Sequence, residues 1–159
     1  MADNAPKTKA RYWTAVMYQE NMRPDWREVI DDLLQCPYAY CEHDMSKDSK
    51  SEHRKNHVHI LLVFANTTTY QHAFSVFARL NGEGKEAFNK IESVINIRHM
   101  YDYLIHATES CKKKGKERYD QSCRICGNNF DIGAYEQLGQ ADKDRMLKEI
   151  CDYICKEGI

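Results

Sequence analysis

The sequence predicts an α+β domain with a central antiparallel β-sheet and flanking helices. Stretches rich in β-branched and aromatic residues, which are typical of strands, are spread along the chain rather than gathered in one block. Amphipathic segments separate some of these stretches but not all, so the strict strand–helix alternation that builds a parallel sheet is absent. The 159 residues suffice for one domain with a sizeable core.

The first half of the chain contains three predicted strands and one helix. The opening stretch KARYWTAVMY is rich in aromatic and β-branched side chains and predicts a strand. Pro24 and Asp25 then begin a helix that runs to about Leu34, and Pro37 stops it. The strands are predicted over residues 9–18, 38–42 and 57–64.

Helical patterns predominate in the second half of the chain. The stretch TTTYQHAFSVFARL has helical spacing and is closed by Asn81 and Gly82. Three glycines between Gly127 and Gly139 mark the only visible boundary before a last helix with an apolar stripe. The predicted elements are a helix over 67–80, a strand over 91–97, a helix over 98–108, a basic loop over 112–118 and a helix over 141–156.

Composition narrows the class of protein without identifying it. Charged residues make up 30% of the chain and nearly cancel to a net charge of −1, so any contact with nucleic acid has to come from a local patch. The N-terminus has no apolar signal region, and no apolar run approaches the ~18 residues of a membrane span. We therefore expect a soluble, cytoplasmic protein without a membrane partner. Its seven cysteines favour reduced thiols over disulfides.

Two histidines open the strand in the stretch NHVHILLVF. His57 and His59 point to the same face because side chains alternate along a strand, and two neutral imidazoles on one face can bind one metal ion. A polar strand end with two half-exposed histidines explains this pattern equally well. His43, at the end of the preceding strand, adds a third imidazole, and Asp44 or Asp48 in the intervening loop can add an oxygen. Such a set suits a divalent transition ion such as Mn or Zn.

Two tyrosines lie in the stretch HMYDYLIHATES, over residues 99–110. On a helix, Tyr103 shares a face with His99 and His106, whereas Tyr101 lies about 200° away from it. A tyrosine, whose ordinary pKa is about 10, becomes a useful nucleophile when a metal or a base lies nearby. Ordinary packing of both tyrosines is the alternative interpretation.

In their order along the chain, these motifs resemble those of the HUH endonucleases, in which an apolar residue separates two histidines. The likeness is closest to the rolling-circle replication initiators of small Gram-positive plasmids. An HD pair at His43, the HVH motif and the segment YDYLIH carry it. The stretches KARYWTAVMY, RPDW, ERYD and NNFDIGAY extend it over about residues 9–135.

The resemblance implies a metal-dependent enzyme that nicks and rejoins single-stranded DNA. His43, His57 and His59 match the metal-binding histidines, and Tyr103 matches the catalytic nucleophile. The metal, Mn²⁺ in the first place with Mg²⁺ or Zn²⁺ as alternatives, would polarise the scissile phosphate at the plasmid nick site. Attack by Tyr103 would leave a 5′-phosphotyrosine and a free 3′-OH that primes replication.

The metal-binding motif of this chain departs from the family pattern at one position. The family carries a second acidic residue three positions after the first histidine, where this chain has Ser46. We expect Asp48 to take the place of that ligand, with Asp44 as the second choice.

The predicted DNA contacts are basic residues that follow the tyrosine helix. Such residues suit phosphate oxygens of single-stranded DNA at the nick site and of double-stranded origin DNA, although a solvated loop would have the same composition. The candidates are Lys112, Lys113, Lys114, Lys116 and Arg118.

The resemblance also suggests a division of the chain. Residues 1–135 are interpreted as the nuclease and origin-binding domain, and residues 136–159 as a C-terminal helix that starts a linker to an oligomerisation region. The apolar stripe on that helix makes self-association an expected interaction.

Two further interpretations compete with the replication initiator. A conjugative relaxase or a transposase of the same class would use the same residues. A non-catalytic DNA-binding module would instead be stabilised by zinc bound to four thiolates. The candidate thiolates are Cys123, Cys126, Cys151 and Cys155.

Overall fold

The computed structural model describes residues 8–43, 55–116, 118–137 and 147–151. Its strands are β1 (Ala10–Tyr18), β2 (Tyr38–His43), β3 (His57–Thr68), β4 (Glu92–Ser93) and β5 (Arg124–Gly127). Its helices are α1 (Trp26–Leu34), α2 (Tyr70–Ala78), α3 (Ile97–Tyr103) and α4 (Glu109–Lys113). Short 3-10 turns lie at Gln19–Asn21 and Gln121–Cys123, and residues 132–137 and 147–151 are also helical.

The five strands form one antiparallel sheet in the order β4-β1-β3-β2-β5. β3 lies at its centre, and residues 57–63 of this strand are all buried. A strand buried on both faces needs a nearly continuous apolar run, which the stretch after the two histidines supplies. The observed architecture confirms the predicted α+β class with an antiparallel sheet and flanking helices.

Alternate residues of the central strand pack into two separate cores. On one face, Ile60 packs in a cluster with Trp26 of α1 and Phe77 of α2. On the other face, Leu61 packs in a cluster with Leu104 and with residues of α3. The helices α1 and α2 therefore cover one side of the sheet, and α3 with the chain that follows it covers the other.

The helix predicted over 67–80 is shorter in the structure, because β3 continues to Thr68. The Thr69 side chain accepts a hydrogen bond from the His72 backbone N–H at 3.1 Å and so caps α2, which begins at Tyr70. Threonine suits both a strand and a helix cap, so the three consecutive threonines do not reveal where one element gives way to the other.

The strand predicted over 91–97 is reduced to the two residues of β4. Ile95 is 98% exposed, so this apolar residue is not a core position. The Asn96 side chain accepts a hydrogen bond from the His99 backbone N–H at 3.0 Å and starts α3. The cap therefore ends the extended segment earlier than its apolar pattern predicts.

The helix predicted over 98–108 is also wrong, because two shorter helices occupy this region. α3 ends at Tyr103, and His106 has a left-handed backbone with φ of 56°. The Thr108 side chain then accepts a hydrogen bond from the Cys111 backbone N–H at 3.3 Å and caps α4. As a result, the first two lysines of the predicted basic loop belong to a helix.

Two further differences concern the end of the chain. β5 has no counterpart among the predicted strands, since four residues are too few to display a periodic pattern. Of the last predicted helix, residues 147–151 are helical, and the rest of it lies outside the described residues. Within the described ranges, every helix is too short or too polar to cross a bilayer.

Two isoleucines test how far stability depends on the core. Ile60 is fully buried, whereas Ile95 is 98% exposed. Ile60→Ala should lower the free energy of unfolding by about 2–5 kcal/mol, because it leaves a cavity at the centre of the sheet. Ile95→Ala removes the same atoms and should change it by less than about 0.5 kcal/mol. Urea unfolding measures both, and equal losses would contradict the described packing.

Candidate active site

Three histidine side chains meet on the α3 side of the sheet. His43 at the end of β2 is the direct cross-strand partner of His57 at the start of β3, and His59 follows two residues later on the same face. The ring centroid of His43 lies 4.4 Å from that of His59 and 5.1 Å from that of His57. The His57 and His59 centroids are also 5.1 Å apart. The strand pairing thus brings together the three histidines singled out in the sequence.

All three rings are buried, which separates them from ordinary strand-end histidines. Their exposed fractions are 1% for His43, 1% for His57 and 4% for His59. One nitrogen from each ring lies within 4.8 Å of the others. In the described ranges, no other set of three histidine, cysteine or acidic side chains comes together in this way. The alternative of half-exposed histidines is therefore wrong.

Hydrogen bonding fixes which nitrogen of His43 carries the proton. Its Nε2 lies 2.8 Å from the backbone oxygen of Leu104. A carbonyl oxygen only accepts hydrogen bonds, so Nε2 donates and Nδ1 carries a lone pair. Nδ1 is buried and has no hydrogen-bond partner in the described part of the chain. A buried acceptor of this kind is costly unless something else binds it.

Burial also keeps the His43 ring neutral. Desolvation lowers the pKa of His43 to about 3. The hydrogen bond to Leu104 opposes this shift, while His106, His57 and Lys116 nearby add to it. A neutral imidazole is the form that binds a metal ion.

The His57 ring is oriented in a similar way by a backbone carbonyl. Its Nδ1 lies 2.8 Å from the oxygen of Lys55, so Nδ1 donates and Nε2 is the basic nitrogen. Metal-binding histidines usually donate their second ring N–H to a carbonyl or carboxylate, which fixes the ring and raises its basicity. Three buried imidazoles, two of them oriented in this manner, fit a divalent transition ion. The two candidate oxygen ligands, Asp48 and Asp44, lie outside the described residues.

Tyr103, the last residue of α3, lies beside this cluster. Its ring centroid is 5.7 Å from that of His59 and 6.0 Å from that of His106. Tyr101 has different neighbours. Its ring stacks on Phe130 with centroids 5.9 Å apart, and the Arg124 guanidinium lies 3.5 Å from its centroid. The structure therefore places Tyr103 at the histidines and Tyr101 in a packing contact.

Two more aromatic residues enclose His43, and the sequence did not single them out for this position. The His106 ring lies 4.4 Å from that of His43 at nearly right angles, and the Tyr119 ring stacks on His43 at 4.6 Å. Both residues are buried. His106 was expected on the tyrosine helix, and its left-handed backbone has no clear signal in the sequence, although histidine is enriched in that conformation. Tyr119 belongs to the ERYD stretch, which gave a resemblance but no role.

The predicted basic residues do not form a uniform group. Lys112, Lys113, Lys114 and Arg118 are exposed, and Lys112 lies 3.4 Å from Glu109. Lys116 is half-buried, and its Nζ lies 3.4 Å from the Tyr103 hydroxyl oxygen.

The candidate thiolates do not form a site in the described part of the chain. Cys123, Cys126 and Cys151 are exposed thiols there, and none of them joins a group of three potential ligands. Cys155 lies outside the described residues.

Comparisons with known proteins agree with the resemblance to plasmid replication initiators. The family model "Plasmid replication protein, origin binding domain" matches residues 5–133. A replication protein RepB from Streptococcus agalactiae is 32% identical over 93% of this chain and 70% of that protein. A replication protein from Staphylococcus aureus is 22% identical over 99% of this chain and 74% of that protein. RepB from Lactiplantibacillus plantarum is 22% identical over 97% and 67%, respectively.

The α+β fold and the matched family model together indicate the class of protein, which is a DNA-binding domain that acts in plasmid replication. The chain belongs to the family of plasmid replication protein origin-binding domains. The resemblance to rolling-circle plasmid initiators is thereby confirmed, and the chain acts in plasmid replication through binding to origin DNA.

The pKa of His43 predicts how acid acts on the metal-free protein. Between the folded pKa of about 3 and the unfolded value of 6.5, the unfolded chain binds the extra proton. The stability contributed by the neutral ring is therefore complete above pH 6.5 and is lost as the pH falls toward 3. At pH 5 the loss is about 2 kcal/mol.

Urea unfolding at pH 7 and pH 5 in chelator measures this loss. The drop in unfolding free energy should be smaller by about this amount in His43→Gln than in the wild-type chain. An identical drop in both proteins would show that His43 is charged or exposed in the folded state.

Proposed function

We propose that this chain is a divalent-metal-dependent endonuclease and strand transferase that nicks and rejoins single-stranded DNA at a plasmid origin. Tyr103 is the nucleophile. The metal is held by His43, His57 and His59 together with Asp48, or with Asp44 in its place. Mn²⁺ is the expected ion, and Mg²⁺ or Zn²⁺ are alternatives.

One observation carries this proposal, namely the position of Tyr103 beside the three buried histidines. The centroid of its ring lies 5.7 Å from that of His59. A tyrosine hydroxyl is a weak nucleophile near neutral pH and needs a neighbouring group that stabilises its reacting form. Tyr101 packs against Phe130 and Arg124 instead, which supports Tyr103 as the reacting tyrosine.

The chemical step is a transfer of the phosphodiester from a sugar oxygen to the tyrosine. The Tyr103 oxygen forms a bond to phosphorus as the bond to O3′ breaks. The hydroxyl proton of Tyr103 leaves to solvent, and O3′ takes up a proton to become a free 3′-OH. The 5′ side stays attached as a phosphotyrosine, and attack by a 3′-OH on this ester reverses the step and joins strands. A bound divalent cation would supply positive charge at the phosphate oxygens.

The residues around the cluster prepare it for this reaction. The Leu104 and Lys55 carbonyls orient two imidazoles and keep a basic nitrogen on each. Burial keeps His43 neutral, so no proton has to be expelled before an ion binds. The stacked ring of Tyr119 and the edge of His106 restrict movement of His43.

The basic residues supply the contacts to the DNA backbone. Exposed lysines at the end of a short helix can reach phosphates without selecting a sequence, and they make affinity depend on salt. The proposed phosphate contacts are Lys112, Lys113, Lys114, Lys116 and Arg118.

A denaturing gel tests the reaction and its nucleophile. The wild-type chain, Mn²⁺ and labelled single-stranded oligonucleotides from a candidate origin should give an adduct that resists denaturation. Tyr103→Phe should abolish the adduct because the ring is kept and only the attacking oxygen is lost. Tyr101→Phe is the matched control and should keep it.

The gel also separates the competing interpretations. Loss of the adduct in Tyr101→Phe alone would identify the other tyrosine as nucleophile. Absence of any adduct, with chelator changing nothing, would reject the nuclease and favour a DNA-binding module without catalysis.

Metal binding is tested apart from DNA cleavage. Mn²⁺ titration followed by electron paramagnetic resonance should give one tight site in the wild-type chain. His57→Ala should weaken it by more than about 100-fold, beyond the 10- to 100-fold typical of an outer-shell partner. His72→Ala, at an exposed histidine on α2, should leave it intact. Equal affinity in all three proteins would place the metal elsewhere.

A further inference from the structure

One lysine of residues 112–118, here called the basic segment, is positioned differently from the others. The side chains of Lys112, Lys113 and Lys114 are exposed, but Lys116 is half-buried and turned back toward α3. Its Nζ lies 3.4 Å from the Tyr103 hydroxyl oxygen and 5.5 Å from the centroid of the Tyr103 ring. This ammonium group therefore contacts the atom that attacks phosphorus in the proposed reaction.

The backbone that carries Lys116 is fixed by a helix-ending turn. Gly115 has a φ of 67°, which is left-handed, and its N–H donates to the Lys112 oxygen at 3.1 Å. The Lys116 N–H donates to the Cys111 oxygen, also at 3.1 Å. These two bonds and the left-handed residue form a Schellman motif, which glycine adopts with least strain. Because Cys111 is buried, the turn is anchored in the fold rather than held only by solvent-exposed atoms.

Negative charge at the Tyr103 hydroxyl would make a positively charged neighbour useful in the proposed reaction. In the proposed reaction the Tyr103 oxygen loses its proton as it attacks phosphorus, so negative charge develops on this oxygen. A scissile phosphate brought to the hydroxyl adds further negative charge. Among the described lysines of the basic segment, Lys116 is the one that contacts this hydroxyl, so its charge acts where the tyrosine oxygen and the phosphate meet.

We propose that Lys116 is a catalytic residue of the nicking reaction and not simply one more contact to the DNA backbone. Its ammonium group donates a hydrogen bond to the Tyr103 oxygen, holds that oxygen in place and supplies positive charge where it meets the scissile phosphate. The inference rests on the proposed tyrosine nucleophile. It makes Gly115 a positioning residue, which acts only by directing Lys116.

The test separates the rate of the chemical step from DNA affinity. Adduct formation is followed in single-turnover reactions with Mn²⁺ and saturating oligonucleotide. Lys116→Met should slow it by about 10- to 100-fold, because a preorganised donor at the reacting oxygen is lost. Lys116→Arg should recover part of the rate. Affinity, measured in the Tyr103→Phe background, should fall only a few-fold in Lys116→Met.

Two other lysines serve as comparisons. Lys113→Met is the comparison for DNA affinity and should weaken binding in a salt-dependent manner, as expected of a phosphate contact. Lys90→Met, at an exposed residue paired with Glu92 beside β4, removes one charge outside the basic segment and should change neither the DNA affinity nor the rate of adduct formation.

A pair of glycines tests the turn independently of the lysine side chain. Gly115 and Gly84 both have a φ of 67°, and a Cβ at Gly84 would meet no atom within 4 Å. Because both glycines have a left-handed backbone, Gly115→Ala and Gly84→Ala should each lower the melting temperature, but only Gly115→Ala should slow adduct formation. The glycine variants also test the inference if Lys116→Met fails to fold.

The outcomes distinguish this inference from the proposed function. A normal adduct rate at saturation in Lys116→Met, with weaker DNA binding, would overturn the catalytic role and leave the nuclease standing. Equal adduct rates in the two glycine variants would overturn the role of the turn in the same way. No adduct in the wild-type chain would overturn the nuclease itself and this inference with it.

Discussion

The pairing of β2 with β3 is the constraint on which the site depends. In the observed register His43 lies opposite His57, and His59 follows on the same face. A slip of one residue would turn the two β3 histidines toward α1 and α2 and separate them from His43. The apolar residues of β3 prevent this, because Leu61 and Leu62 belong to different cores and the same slip would exchange them. Packing of ordinary leucines thus sets the geometry of a polar site several residues away.

The buried histidines oppose the stability of the fold that holds them. Removing an imidazole from water costs free energy unless its polar atoms find partners. The carbonyls of Leu104 and Lys55 satisfy one nitrogen on each of two rings, whereas Nδ1 of His43 has no partner in the described residues. A core built only for stability would carry an apolar side chain at that position. A binding site needs this arrangement, because a basic nitrogen that is kept for a ligand lowers the stability of the protein without that ligand.

The long secondary-structure elements can be predicted from the sequence, whereas most of the connections between them cannot. β1, β3 and α1 are predictable because each extends over nine or more residues, and the alternation along β3 places two histidines on one face. The break after Tyr103, the left-handed His106 and the stacking of Tyr119 on His43 leave no comparable signal. They are set by caps and by contacts between residues distant in the chain, which no local pattern encodes. For the same reason the sequence predicts a uniform row of charges in the basic segment, although the turn at Gly115 directs Lys116 alone toward Tyr103.

The hydrogen bond between His43 and the Leu104 carbonyl joins two parts of the site that are otherwise described separately. Leu104 follows Tyr103 directly, so the peptide that ends the tyrosine helix is also the outer partner of a histidine in the cluster. If a cation binds the cluster as proposed, the coupling is reciprocal: an ordered helix end would raise the affinity for the cation, and the bound cation would stabilise the ordered helix end to the same extent. In the proposed metal-dependent reaction, cation binding at the cluster and positioning of the tyrosine would then be coupled, so a substitution that alters one of them would also shift the other.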